Sequence, residues 1–211
     1  MTYTFNQELA RKFVHFLSVF IIIGFLLISH YFTKQTALLT LTAVLAIILF
    51  LEYLRIETGK KIPLLSSLWS HVMRTKEKDR FGGYVFMILG SLIVFALFET
   101  RIAVAAILMA TLGDLAAALI GKRFGKHFFM KERAWEGTLA QFSIDVLIGI
   151  LVFIIFSPFA IPLWQTWAII LAMSLTATIV ETLIYKMDDN LIIPVFSGFV
   201  GEIALLVLSK I

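Results

Sequence analysis

Seven long apolar runs dominate this chain: Val14–Phe32, Ala37–Leu54, Tyr84–Phe98, Ile102–Ile120, Leu139–Phe156, Leu163–Tyr185 and Leu191–Leu208. As a helix, an apolar run of about 20 residues crosses the roughly 30 Å hydrocarbon core of a bilayer. The expected fold is therefore an all-α integral membrane protein. It is a bundle of about seven transmembrane helices, forming a single membrane-embedded domain over residues 1–211. Composition agrees, with 60% hydrophobic residues, where a soluble domain is nearer half apolar. The first run follows Arg11 and Lys12 as a signal peptide would. It is longer than a signal core, lacks a small-residue cleavage site and precedes six more runs, so it is expected to remain a span.

Charge orients the bundle. With seven crossings, the N-terminus and the linkers 55–83, 121–138 and 186–190 share one face. Of the 18 Lys and Arg, only Lys34, Arg101 and Lys210 fall on the other face. By the positive-inside rule the N-terminus and the basic face are cytoplasmic. The basic stretch in 55–83 reads as a surface against water or lipid headgroups.

Acidic residues break the apolar pattern at matching depths. Asp114 lies seven residues before Gly121, Asp145 seven after Thr138, and Glu181 seven before Asp188. At the helical rise, each sits roughly 10 Å below the cytoplasmic end of its span. An ionisable group at that depth is costly and marks function by default. Asp114, Ala117, Ala118 and Gly121 share a helix face, a strip of small residues that another helix or a ligand can approach closely. Thr138, Gln141 and Asp145 share a second face, and Glu8, Arg11, Lys12 and His15 a third. Taken alone, one buried acid reads equally well as a hydrogen-bonding partner between helices, and Glu202, nearer the other face, is read as structural or left unassigned.

Convergence favours chemistry over packing. Glu8, Asp114, Glu136, Asp145, Glu181, Asp188 and Asp189 gather at or below the cytoplasmic mouth, among Arg11, Lys12, Lys122, Arg123 and Lys126. Acid and base together, with glycines, suit a polyanion bound with a divalent cation. Mg²⁺ takes carboxylate and phosphate oxygens, while Lys, Arg and exposed backbone N–H groups hold the remaining phosphate charge. That is the inventory of a phosphoryl- or nucleotidyl-transfer site. There is no G-x-x-x-x-G-K-[ST] loop, so the phosphate device is not of the Walker type. There is no Cys, which excludes disulfides and thiolate metal sites, and the four His are too scattered for a zinc site.

Four blocks, in order, resemble the CTP-dependent lipid-alcohol kinases, the group of dolichol kinase, phytol kinase and CTP-dependent diacylglycerol kinase within the phosphatidate cytidylyltransferase-like superfamily. They are E-x-x-R-K-x-x-H (Glu8, Arg11, Lys12, His15) and G-D-x-A-A-x-x-x-G-x-x-x-G (Gly113, Asp114, Ala116, Ala117, Gly121, Gly125). E-G-[ST] (Glu136, Gly137, Thr138) and E-x6-D-D-N-x3-P (Glu181, Asp188, Asp189, Asn190, Pro194) follow. The third block departs from the family pattern K-[ST]-x-E-G-[ST]: Arg133 and Ala134 keep the basic charge and lose the hydroxyl. The cytidylyltransferases also resemble the chain near Asp114, but their K-D-x6-H-G-G-x-x-D-R-x-D signature is missing.

The resemblance implies transfer of the γ-phosphate of CTP to a membrane lipid alcohol, with release of CDP, at an active site on the cytoplasmic face. CMP transfer of the phosphatidate cytidylyltransferase type is an alternative, and a multi-span transporter using the acids as an ion relay is another. Asp114 is the expected Mg²⁺ ligand, with Asp188 or Asp189 as the second. Arg11, Lys12, Lys122 and Arg123 neutralise the triphosphate; Gly113, Gly121 and Gly125 let backbone approach it, with Glu136, Gly137, Thr138 and Asn190 completing the nucleotide site. Asp145 or Glu181 accepts the hydroxyl proton, with His15 as the competing base. The expected partners are the nucleotide triphosphate, the lipid alcohol and membrane lipids, with no nucleic acid. The sequence leaves the identity of the alcohol and the oligomeric state open.

Overall fold

The structure is a computed structural model that describes residues 18–58, 81–130, 133–156, 158–184 and 187–210. The helices are α1 (Ser18–Tyr31), α2 (Lys34–Thr58), α3 (Gly83–Leu97), α4 (Thr100–Leu108), α5 (Asp114–Phe124), α6 (Trp135–Ile150), α7 (Leu163–Leu183) and α8 (Asp189–Leu208). A π-helical turn, Met109–Gly113, joins α4 and α5 into one rod, and a second, Leu151–Phe156, extends α6. Among the described residues, each of the seven apolar runs thus contributes one rod. Five rods, of 20 to 25 residues, are long enough to cross a bilayer, and α1 and α3 are shorter apolar helices. The chain is an all-α, multi-pass membrane protein, as its runs predict.

The rods reach further into the linkers than hydropathy suggests. Lys122 and Arg123 form the last turn of α5, and Glu136 and Asp189 lie in the first turns of α6 and α8. Cations are favoured at helix C-termini and carboxylates at N-termini, because they complement the helix dipole. What remains of linker 121–138 carries a two-stranded antiparallel ribbon, β1 (Phe128–Met130) and β2 (Arg133–Ala134), with Phe128 opposite Ala134.

Polarity is arranged inside out. Leu171, Leu175 and Ile179 are exposed along α7, while Gln165, Ser174, Thr178, Glu181 and Thr182 of the same helix are buried. Exposed apolar side chains are the surface that lipid solvates, and a helix that is apolar nearly all round is a membrane span. Buried hydroxyls bond back along their own helices, as Thr178 does to the Ser174 carbonyl (2.8 Å) and Ser197 to that of Ile193 (2.7 Å).

The chain divides into two units, Met1–Leu92 and Ile93–Ile211. In the first, α1 buries Ile22 and Phe25, and α2 buries Ala37, Leu41 and Leu45 at intervals of four. In the second, α4 is deeply buried, with Ile102, Ala103, Ala105 and Ala106 fully covered. Its start is held by Glu99, whose carboxylate accepts the Arg101 N–H (2.8 Å) and whose own N–H donates to Glu202 (2.8 Å). Glu202 therefore has a structural partner. Arg101 also donates to the Pro158 carbonyl (2.9 Å) and lies over the Phe159 ring.

Candidate active site

In the second unit, successive helices deliver acids to one region. Asp114 opens α5 directly after the π-helical turn and is buried. Asp145, on α6, is fully buried, and Glu181, in the last turn of α7, is nearly so. Asp145 lies within electrostatic reach of Glu181 and Asp114. Asp189, half-buried at the start of α8, lies within reach of Asp114, Glu181, Asp188 and Arg133. Carboxylates so placed repel one another, which a cation among them relieves.

Arg133 supplies one such cation. From β2 its guanidinium Nη1 pairs with Glu181 Oε2, with the side chains 22% and 8% exposed. Among the described residues Asp145 has no equivalent, and neither of its carboxylate oxygens has a well-formed hydrogen bond. The nearby Thr178 hydroxyl donates instead to a main-chain carbonyl. One turn earlier on α6, both amide atoms of fully buried Gln141 are likewise unpaired. Among the described residues, no three His, Asp or Glu side chains form a group able to hold a metal ion by themselves.

The two aspartates of the fourth sequence block play different local parts at the start of α8. Asp188 caps α8: its Oδ1 accepts the Asn190 N–H (3.1 Å) and the Asn190 side-chain amide (2.8 Å). Such an oxygen satisfies one of the unpaired donors at a helix start. Asp189, the next residue, lies in electrostatic reach of Asp114 and Glu181. Glu136 is engaged by the ribbon; its carboxylate contacts His127 Nδ1 at 2.7 Å and accepts the His127 N–H at 3.3 Å.

The glycines lie where helices cross. A methyl group at Gly137 would stand 2.8 Å from the Ala117 carbonyl oxygen and 3.1 Å from Gly121 Cα, so α5 and α6 touch backbone to backbone. Gly113 meets the Asp145 carboxylate and the Gln141 side chain, and Gly125 meets the Gly121 carbonyl and Ala134. The small-residue strip below Asp114 therefore receives a helix. Thr138 is half-buried, its hydroxyl 3.5 Å from the Ala134 carbonyl. Lys122 and Arg123 are exposed at the end of α5. Arg11, Lys12 and His15 lie outside the described residues. Sequence reasoning set Arg133 aside as a retained charge and Gln141 as a face-sharing residue. For Gln141 the i, i+4 spacing to Asp145 was the available signal.

The chain has relatives among known proteins. It is 28% identical over 148 residues to the CTP-dependent diacylglycerol kinase 1 of Schizosaccharomyces pombe, covering 64% of this chain and 68% of that protein. It is 29% identical over 208 residues to a probable chloroplastic phytol kinase of Triticum aestivum, covering 93% of this chain and 67% of that protein. It is 31% identical over 203 residues to a dolichol kinase of S. pombe, covering 88% of this chain but only 37% of that longer protein. No family model and no solved structure matches the chain.

Proposed function

We propose that this chain, a relative of the CTP-dependent lipid-alcohol kinases, is a membrane lipid kinase that transfers the γ-phosphate of CTP to a lipid hydroxyl and releases CDP. The observation that carries this reading is the gathering of Asp114, Asp145, Glu181 and Asp189 from four helices, with the Asp145 carboxylate left unpaired. Their oxygens suit a hard divalent cation. Mg²⁺ binds one or two carboxylates and fills its other positions with phosphate oxygens and water. Mg²⁺ carried on a nucleotide would need only one or two of these carboxylates. Asp114 and Asp189 would hold it, and bound there it would neutralise charge developing on the phosphates.

The remaining roles fall to this chain's own residues. Glu181 is committed to Arg133, which leaves Asp145 as the better acceptor for the hydroxyl proton. Lys122 and Arg123 supply positive charge where the triphosphate arrives; for Arg11 and Lys12, outside the described residues, a part in holding the nucleotide rests on the first motif alone. The alcohol enters laterally, its tail among the exposed apolar helix faces. The basic face, and with it the nucleotide entrance, is cytoplasmic.

The test is purified protein in detergent with CTP labelled on its γ-phosphate, offered diacylglycerol, phytol and dolichol with and without Mg²⁺. Label on one lipid, equimolar CDP and dependence on Mg²⁺ are expected. Release of pyrophosphate instead would mark CMP transfer, and no transfer to any lipid would remove the kinase reading.

A further inference from the structure

We infer that Gln141 receives the hydroxyl of the lipid alcohol, its amide N–H holding the oxygen while Asp145 takes the proton. This rests on the kinase reading above and deepens it by locating the acceptor. Gln141 and Asp145 stand one turn apart on α6, both fully buried. Neither amide atom of Gln141 nor either carboxylate oxygen of Asp145 has a well-formed hydrogen bond, the Thr178 hydroxyl beside Asp145 being given to the Ser174 carbonyl. Buried polar atoms are paired in the large majority of cases, and an unpaired group asks for an explanation. Four of them on adjacent turns mark a place where a polar group belongs. Both side chains lie against Gly113, directly before Asp114: a methyl group there would overlap the Asp145 carboxylate and stand 3.2 Å from Gln141 Cγ.

A hydroxyl fits this pair better than a phosphate does. It donates to the Asp145 carboxylate while its oxygen accepts from the amide of Gln141. A phosphate oxygen only accepts, and the carboxylate would repel it. The step balances. The hydroxyl oxygen bonds to the γ-phosphorus, and the bond from that phosphorus to the β,γ-bridging oxygen breaks. CDP leaves with the electron pair, and the hydroxyl proton passes to Asp145.

Gln141→Met tests the assignment, because it keeps the length of the side chain and removes both polar atoms. An amide with no ligand would be replaced with a gain in Tm and no kinetic change. An amide that holds the hydroxyl gives a different result. The kcat/KM for the alcohol falls about tenfold to a hundredfold, and KM for CTP holds. The alcohol, which raises the Tm of the unaltered protein in detergent, no longer does so. Gln141→Asn, which keeps an amide on a shorter stem, recovers part of the loss and serves if the Met variant folds poorly. Gln165→Met is the control; it replaces another buried glutamine sixteen residues before Glu181 on α7 and is expected to leave kinetics unchanged. Unaltered kinetics toward the alcohol in Gln141→Met, or a loss of CTP affinity in its place, overturns the inference. An unaltered protein that phosphorylates no alcohol defeats the kinase reading itself, an outcome distinct from an active enzyme indifferent to position 141.

Discussion

Gly113 and Asp145 approach so closely that position 113 has no room for a side chain: a methyl group there would overlap the Asp145 carboxylate. The two residues come from different helices, so their contact sets both the spacing of the π-helical turn from α6 and the aim of the carboxylate. Gly113→Ala is expected to push that carboxylate aside, costing about 1–3 kcal/mol of stability as an overpacked contact does. Turnover is expected to fall by about a hundredfold if Asp145 is the proton acceptor. Adding Asp145→Ala relieves the overlap, so the double variant should unfold at a higher temperature than Gly113→Ala while staying inactive. Thermal unfolding in detergent and turnover together check this; full activity in Gly113→Ala would separate Asp145 from the chemistry.

Asp114→Asn and Asp145→Asn are expected to fail in different ways. A carboxylate that binds the metal shows its loss in the Mg²⁺ dependence, whereas a proton acceptor does not. Asp114→Asn should lower turnover by about a hundredfold or more and raise the Mg²⁺ concentration needed for half-maximal activity, with the fold intact. Asp145→Asn should lower turnover comparably at an unchanged Mg²⁺ requirement. EDTA should abolish transfer in the unaltered protein, and added Mg²⁺ should restore it. Near-normal turnover of Asp114→Asn at saturating Mg²⁺ would show that the metal lies elsewhere.

What the sequence made legible follows from where the physics is local. An apolar run of about 20 residues has a single length-compatible use, so all seven rods were readable. The shared face of Gln141 and Asp145 was readable too, because i, i+4 neighbours meet on any helix. Helix ends were less so: Lys122, Arg123, Glu136 and Asp189 read as linker by hydropathy, whereas the helix dipole favours each of them inside a terminal turn. The strip from Asp114 to Gly121 announced a close approach but not its occupant, which is the Gly137 backbone. Long-range pairs were not legible at all. No periodicity joins Arg133 to Glu181 or Glu52 to Tyr84, and only the packed helices bring them together.

The Arg133–Glu181 pair lends itself to a double-mutant cycle. Glu181 is almost buried and Arg133 keeps partial access to solvent, so removing either partner takes an ion pair from a poorly solvated charge. With the partial exposure of Arg133 taken into account, each of Arg133→Gln and Glu181→Gln should cost about 1–3 kcal/mol. The double variant should cost less than their sum, giving a coupling of about 1 kcal/mol or more. Additive losses in thermal unfolding would mean that the ion pair contributes nothing specific.

Glu52 anchors a separate network in the first unit, and its parts rank by how much charge each leaves stranded. Its fully buried carboxylate accepts from Arg55 Nε and Nη2 (2.8 Å each), from the Gly82 N–H (3.2 Å) and from the Tyr84 hydroxyl. The carboxylate thus ties the last turns of α2 to the start of α3. Glu52→Gln removes the negative charge that faces the Arg55 guanidinium, only 11% exposed, and should cost about 3 kcal/mol. Tyr84→Phe removes one neutral donor from an acceptor that keeps three others, and should cost about 1 kcal/mol. Glu52→Gln combined with Arg55→Met removes both charges and should recover much of the loss, because an apolar replacement of a buried pair is often neutral. Thermal unfolding in detergent gives the order. If Tyr84→Phe proved as damaging as Glu52→Gln, the network would be held by the shape of the tyrosine ring and not by the buried charge.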